Sequence, residues 1–403
     1  MKKKLSLLLV LVMVFLSVSA VAIAKVEIEF WQNKREAVDV YKEIIAEFEE
    51  EYPDIEVVQN YQLDANTVLR SRLAQDNFPE VLTFWADPFY KDLASEGLLM
   101  EVSDNPNLEK VIPSYIDMMK ELTGTDKRYG IPFAVNAQPV LYNIDKFEEL
   151  GLSVPETWDE MLNLMDKIEE AGETPIVFTF QDSWTTNIPW SYFEHHLQPE
   201  DFFEKLDAGE ITFQESYQEI GEKFLKFISY DDGDIFGRDY SQGNMAFARG
   251  DSILYSQGIW AIGPILELNP DINIGAFPFP VDNDPSTTKV PTGIDTVLAI
   301  SEDLSPEKED AASKFVNFLL RPEITQKYMG SQRLFAAIEG VEQTEPELQG
   351  LQTYFEEGRV STSKQLGLPA TMYADMRHLV QQFAIDKDID EFLKTLDEEY
   401  NSY

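Results

Sequence analysis

The sequence contains no cysteine. That excludes disulfides, thiol nucleophiles, cysteine-held metal and a lipid-modified cysteine behind a processed N-terminus. Histidine is nearly absent too: His195, His196 and His378 are the only three. No H-E-x-x-H, G-x-S-x-G, phosphate loop or dinucleotide fingerprint occurs. Adjacent residues face different sides of a regular helix or strand, so His195 and His196 do not form a metal pair. Asp231-Asp232-Gly233-Asp234 lacks the spacing and final glutamate of an EF-hand loop and reads as an acidic turn. No metal or cofactor is expected. Cations are scarce: 32 Lys and Arg face 73 Asp and Glu, for a formal charge of −41. Such a chain repels nucleic acid and anionic lipid, so neither is an expected partner. The acids are spread along the chain, which reads as a solubility device suited to a saline medium. With 44% hydrophobic residues, the charge does not signal disorder.

One long apolar run is present, at the N-terminus. Lys2, Lys3 and Lys4 precede an apolar stretch over residues 5–16, and Ala22-Ile23-Ala24 follows. A basic start, apolar core and A-x-A end describe a secretory signal peptide over residues 1–24, with Ala20 a second cleavage point. The competing reading is a retained membrane anchor. Without a lipid-anchor cysteine, the processed protein is expected free in a periplasm. About 379 remaining residues suggest two domains.

Residues 26–31 read as a strand. Val38, Tyr41, Ile44, Ile45 and Phe48 then recur at helical spacing, and residues 55–61 read as a second strand. This βαβ opening implies a parallel pair. A helix over 65–75, a strand over 81–85 and a helix beginning at Asp87-Pro88 continue an α/β pattern. Residues 129–142 form an extended apolar run with Pro132 and Pro139, which argues for a crossing segment rather than a central strand. Thr157-Trp158-Asp159-Glu160 reads as a capping box. Strands are expected over 175–180, 275–279 and 290–300, and helices over 202–228, 306–320, 322–329 and 381–400. There is no repeat and no low-complexity linker, so two domains imply more than one chain crossing.

Several segments carry a family resemblance. They are Phe78-Pro79-Glu80-Val81-Leu82-Thr83-Phe84-Trp85-Ala86-Asp87 with Ser95-Glu96-Gly97-Leu98-Leu99; Tyr129-Gly130-Ile131-Pro132-Phe133 through Pro155-Glu156-Thr157-Trp158; Met245-Ala246-Phe247 with Gly258-Ile259-Trp260; and Thr292-Gly293 with Leu298-Ala299-Ile300-Ser301. In this order they resemble the extracellular solute-binding proteins of sugar-importing ABC transporters, the group that contains the maltodextrin-binding proteins. Glu80 departs from the aspartate more usual there, which puts the local loop geometry in question. The resemblance implies a two-lobed α/β periplasmic-binding-protein fold with a hinge of about three crossing segments, near Asn136, Pro291 and Phe335. It divides the chain into residues 25–136 with 291–335, and 137–290 with 336–403. It also implies a monomer without catalytic activity that hands a sugar or oligosaccharide to ABC membrane subunits.

A sugar presents weakly apolar C–H faces and a rim of hydroxyls. A site therefore needs aromatic rings and planar polar groups, placed beyond the carboxyl ends of strands. Trp31 ends the first strand, with Asn33 and Arg35 in the turn after it, and Trp85 ends another, with Asp87 close behind. Trp184 and Trp190 follow residues 175–180. Trp260 lies just past Gly258, where a glycine lets backbone approach a ligand closely. Asn136 stands near the hinge, and Tyr373 in a loop after Pro369. In the resembling family, positions like Trp85, Asp87 and Trp260 contact the sugar. Against this stand core packing for each tryptophan and a solvated charge or helix cap for Arg35 and Asp87. Rival functions are a binding protein for a polyamine or peptide, and a secreted glycosidase using paired carboxylates.

Overall fold

The computed structural model describes residues 25–62, 65–75 and 77–402. The signal segment lies outside them. Eleven strands among the described residues form two sheets. In the larger, β1 (Val26–Gln32) pairs in parallel with β2 (Ile55–Tyr61) and β3 (Val81–Phe84). Next comes β9 (Val290–Ile300), antiparallel to both β3 and β4 (Ile131–Ala137). The two-residue β10 (Phe335–Ala336) closes the far edge on β4. The smaller sheet runs β6 (Ile176–Val177), β7 (Leu254–Ser256), β5 (Val140–Asn143), β8 (Ile274–Phe277). β11 (Val360–Ser361) pairs with the start of β9.

The first helix, Val38–Glu51, buries Val40, Tyr41, Ile44, Ile45 and Phe48, the stripe that its spacing marks as apolar. It packs on β2 and on the helix Pro322–Gln332. Asp87 caps the helix Pro88–Ser95, accepting the Tyr90 N–H at 3.0 Å. Thr157 accepts the Glu160 N–H at 3.2 Å, but the Glu160 carboxylate turns to the N–H of Glu156, so the reciprocal half of the box is displaced by one residue. Glu80 uses its length: Oε2 accepts the Glu29 N–H at 2.7 Å, and Oε1 pairs with Lys308.

The expected crossing over residues 129–142 divides into strands of both sheets. β4 leaves the larger sheet and, after Gln138 and Pro139, β5 enters the smaller. Contrary to the expectation from its prolines, β4 is interior, between β9 and β10. Pro132 is tolerated because the register shifts there, and β10 reaches only Ala134 and Val135. The chain returns from β8 to β9 through residues 278–289. It passes again after β10, where Phe335 stacks on Phe355 with ring centroids 3.8 Å apart. The strand expected over 175–180 shortens to Ile176–Val177. The helix expected over 202–228 breaks into Phe202–Asp207, Phe213–Ser216 and Gln218–Ile228, with Gly209 in the left-handed region at φ 68°. The tail is two helices, Ala370–Asp386 and Ile389–Tyr400, separated by Lys387 at φ 57°.

Candidate functional site

Between the sheets lies a cleft of about 200 Å³. Its floor is the crossing itself: Asn136 and Gln138 at the end of β4, with Thr292, Gly293 and Ile294 of β9 beside them. One wall carries Trp85, Ala86 and Asp87, which follow β3, backed by Met118 and Leu122 of the helix Pro113–Thr123. The opposite wall is the helix Asn187–Leu197, which presents Asn187, Ser191 and His195, together with Gln365, Leu366 and Tyr373. The Ser191 hydroxyl donates to Gln138 Oε1 at 2.5 Å and joins wall to floor.

Four anticipated residues meet here: Trp85, Asp87, Asn136 and Tyr373. Trp85 is 39% exposed, unusual for so large a ring. Burial pushes the Asp87 carboxyl up to about 6, against the lowering pull of the Tyr90 and Phe89 N–H groups. Burial and the Asp87 charge together raise the Tyr373 phenol. Tyr373 is not in a loop. It lies in the first turn of the helix Ala370–Asp386, its N–H bonded to Pro369 O at 2.8 Å.

Trp184 and Trp260 form a second group on the smaller body. Trp184 is 37% exposed, and its ring lies 6.3 Å from Trp260 and 5.3 Å from Tyr240. The Tyr240 phenol is pushed up to about 12 by burial, opposed by a hydrogen bond from Asn244. The charges of Glu36 and Lys34, in the turn after β1, also act on it. The space beside Gly258 is taken by the Trp260 ring, which a Cβ there would overlap. The missing side chain of Gly258 makes room for its own tryptophan, correcting the expected role.

Two tryptophans belong to packing. Trp31 is 1% exposed, covered by the Arg72 guanidinium 5.2 Å from its ring, and Arg72 is in turn held by both oxygens of Glu29. Trp190 is 0% exposed, with Phe224, Phe383 and Phe392 edge-on around it. Both are corrections to the expected site. Asn33 Oδ1 accepts from Thr83 Oγ1 at 3.1 Å, away from the cleft lining. Arg35 is exposed and forms no ion pair among the described residues. Its neighbour Lys34 is buried instead and reaches Asp295 Oδ2 at 2.7 Å, tying the turn to β9.

Residues 33–326 match the model of the bacterial extracellular solute-binding protein family. The chain belongs to this family. Among relatives, this solute-binding protein is 30% identical over 331 residues to the multiple sugar-binding protein of Streptococcus mutans, spanning 79% of this chain and 76% of that one. Among solved structures it is similar to RafE in complex with raffinose, at 27% identity and TM-score 0.77, covering 94% of this chain and 99% of the other. The apo form of RafE from Streptococcus pneumoniae gives the same identity and TM-score.

The sequence reading missed Asn187, Ser191, His195, Gln138 and Gln365. A signal for the first three was present. They recur every fourth residue in a segment whose neighbours Ile188, Trp190, Tyr192 and Phe193 are all core, and a four-residue polar stripe on an apolar helix marks a face turned to a polar space.

Proposed function

We propose that this protein binds a neutral oligosaccharide in the cleft, closes its two bodies over it, and delivers it to the membrane subunits of an ABC importer. The bodies are residues 25–136 with 291–335, and 137–290 with 336–403, after removal of residues 1–24. The observation that carries the reading is the makeup of the cleft. An exposed Trp85 stands beside amides and hydroxyls of Asn136, Gln138, Asn187, Ser191 and Gln365, and among the described residues the lining has no Lys or Arg and one carboxylate, Asp87. Aromatic faces and uncharged hydrogen-bonding groups suit a sugar. An anionic ligand finds no cation there. A polyamine finds one carboxylate, already used as a helix cap. The named ligands of the relatives above agree with this reading. Binding without turnover fits the same lining, because glycoside hydrolysis needs two carboxyl groups flanking the bond.

Moving from mostly open to mostly closed requires about 10⁴-fold tighter binding to the closed form, or about 5.5 kcal/mol. A few rings and several hydrogen bonds at about 0.5–1.5 kcal/mol each supply that. The test is a thermal-shift panel of raffinose, other neutral oligosaccharides and spermidine. Neutral sugars are expected to raise the melting temperature by mass action. A shift with spermidine alone overturns the reading. Trp85→Ala is expected to weaken raffinose binding by about 2 kcal/mol in calorimetry, and release of monosaccharides on prolonged incubation would show an enzyme instead.

A further inference from the structure

The helix Asn187–Leu197 and the end of β4 meet at the cleft floor, one from each body. Ser191 and Gln138 are bonded to each other there. Flanking that bond are two amides with nothing to bind. Asn136 Oδ1 and Asn187 Oδ1 are both buried, both in the lining, and neither has a hydrogen-bond partner among the described residues. Buried polar atoms are nearly always paired, so unpaired acceptors on the floor and a wall of one cleft call for donors that the described residues do not provide. The lining holds no cation and its histidine is tied to Ser361, whose hydroxyl lies 3.3 Å from His195 Nδ1. An ammonium donor would find only Asp87 to offset its charge, and that carboxylate already caps a helix; on a neutral sugar the missing donors are hydroxyls.

We propose that Asn136 and Asn187 are a specificity-determining pair, accepting hydroxyls of one and the same sugar unit from the two bodies at the hinge end of the cleft. The proposal rests on the carbohydrate reading and identifies what that site selects. A unit bonded to both residues lies astride the crossing at Gln138 and Pro139, so only the closed arrangement completes its contacts. A unit whose hydroxyls there are esterified or absent leaves the acceptors buried and unpaired. Sites built around a hydroxyl reject such analogues far more strongly than apolar pockets discriminate by size.

The test is calorimetry with raffinose on the wild type, Asn136→Leu, Asn187→Leu, the double variant and Asn187→Asp. Leucine keeps the size and removes the acceptor, whereas aspartate keeps the acceptor. Each leucine variant is expected to lose tenfold or more in affinity. The double variant should lose less than the product of the two single losses, because both residues hold one unit. Asn187→Asp should stay within about threefold of wild type. Should Asn187→Leu fail to fold, as judged by ligand-free melting, Asn136→Leu and Asn187→Asp carry the test. Leucine variants that bind like wild type overturn the pair alone, as does an Asn187→Asp as weak as Asn187→Leu. A wild type that binds neither raffinose nor any neutral oligosaccharide of the thermal-shift panel overturns the carbohydrate reading, and the pair with it.

Discussion

Two adjacent side chains under the cleft wall titrate in opposite senses. Burial first, then the charges of His196 and Lys364, hold the His195 imidazole down to about 3. Burial pushes its neighbour Glu194 up to about 7, against hydrogen bonds from Trp190, Gln365 and Tyr217. An unfolded histidine titrates near 6.5. As pH falls from 6.5 toward 3, the unfolded chain gains a proton that the folded one refuses, and stability is lost. For Glu194 the sign is reversed: its contribution is full below the ordinary 4.5 and disappears as pH rises to about 7. Between 4.5 and 6.5 the two nearly cancel, and below 4.5 the histidine acts alone. The expectation is that His195→Gln, compared with wild type at each pH, gains a few kcal/mol of relative stability between pH 6.5 and 3.5. Urea unfolding across that range checks it, and a pH-independent difference between the two proteins refutes it. The same scale shows why two of the sequence-chosen tryptophans were misplaced. Trp31 lies at the end of β1 and Trp85 just past β3, both beside polar residues, and nothing local separates them. What separates them is Arg72, arriving from another helix to cover one ring and not the other. Trp190 was separable locally, since it lies about 100° around its helix from the middle of the Asn187–Ser191–His195 stripe.

At the scale of elements, the strands and helices that read cleanly are mostly those whose period is set by a single buried face. The helix Val38–Glu51 is an example. The strand β9 reads cleanly for another reason, being mostly apolar and buried along nearly its whole length. Elements failed where backbone geometry overrode periodicity: Gly209 and Lys387 adopt positive φ and interrupt apolar patterns that run on through them. Gly258 belongs to the same class of local cause, and it supports a prediction. It sits between β7 and the short 3-10 turn Ile259–Ala261, with the Trp260 ring folded over its Cα. A methyl group there forces the ring away from Trp184 and out of its packing against both apolar cores. Gly258→Ala is expected to cost about 1–3 kcal/mol in denaturant unfolding. It should also weaken raffinose binding, if the ring group forms the outer part of the site. Full stability with reduced affinity would place the ring in ligand contact alone. Unchanged values for both would mean the turn yields freely and the glycine is incidental.

At the scale of the whole molecule, the described acids lie almost entirely outside the proposed binding cleft, whose lining includes Asp87 alone among them. The formal charge is −41, and the proposed removal of residues 1–24, with Lys2, Lys3 and Lys4, would make it three units more negative. That excess was visible in composition, but its separation from the cleft was not, because the lining is gathered from β4, β9, the turn after β3, three helices and the segment before the last of them, Ala370–Asp386. Self-repulsion of this size destabilises the compact state and is screened as the Debye length falls from about 30 Å at 0.01 M salt to about 10 Å at 0.1 M. Ion pairs such as Arg72 with Glu29 and Arg321 with Glu51 act in the other direction and weaken on screening, but exposed pairs contribute only about 0–1 kcal/mol each. Repulsion should win, so the melting temperature is expected to rise by several degrees between 0.01 M and 0.3 M sodium chloride. Raffinose affinity measured over the same range should stay within about twofold, because among the described residues Asp87 is the one carboxylate and no cation lines the cleft. A melting temperature that falls with salt would mean that ion-pair networks outweigh the net charge. An affinity that falls steeply with salt would mean that the ligand is charged, and the neutral character read from the lining would be wrong.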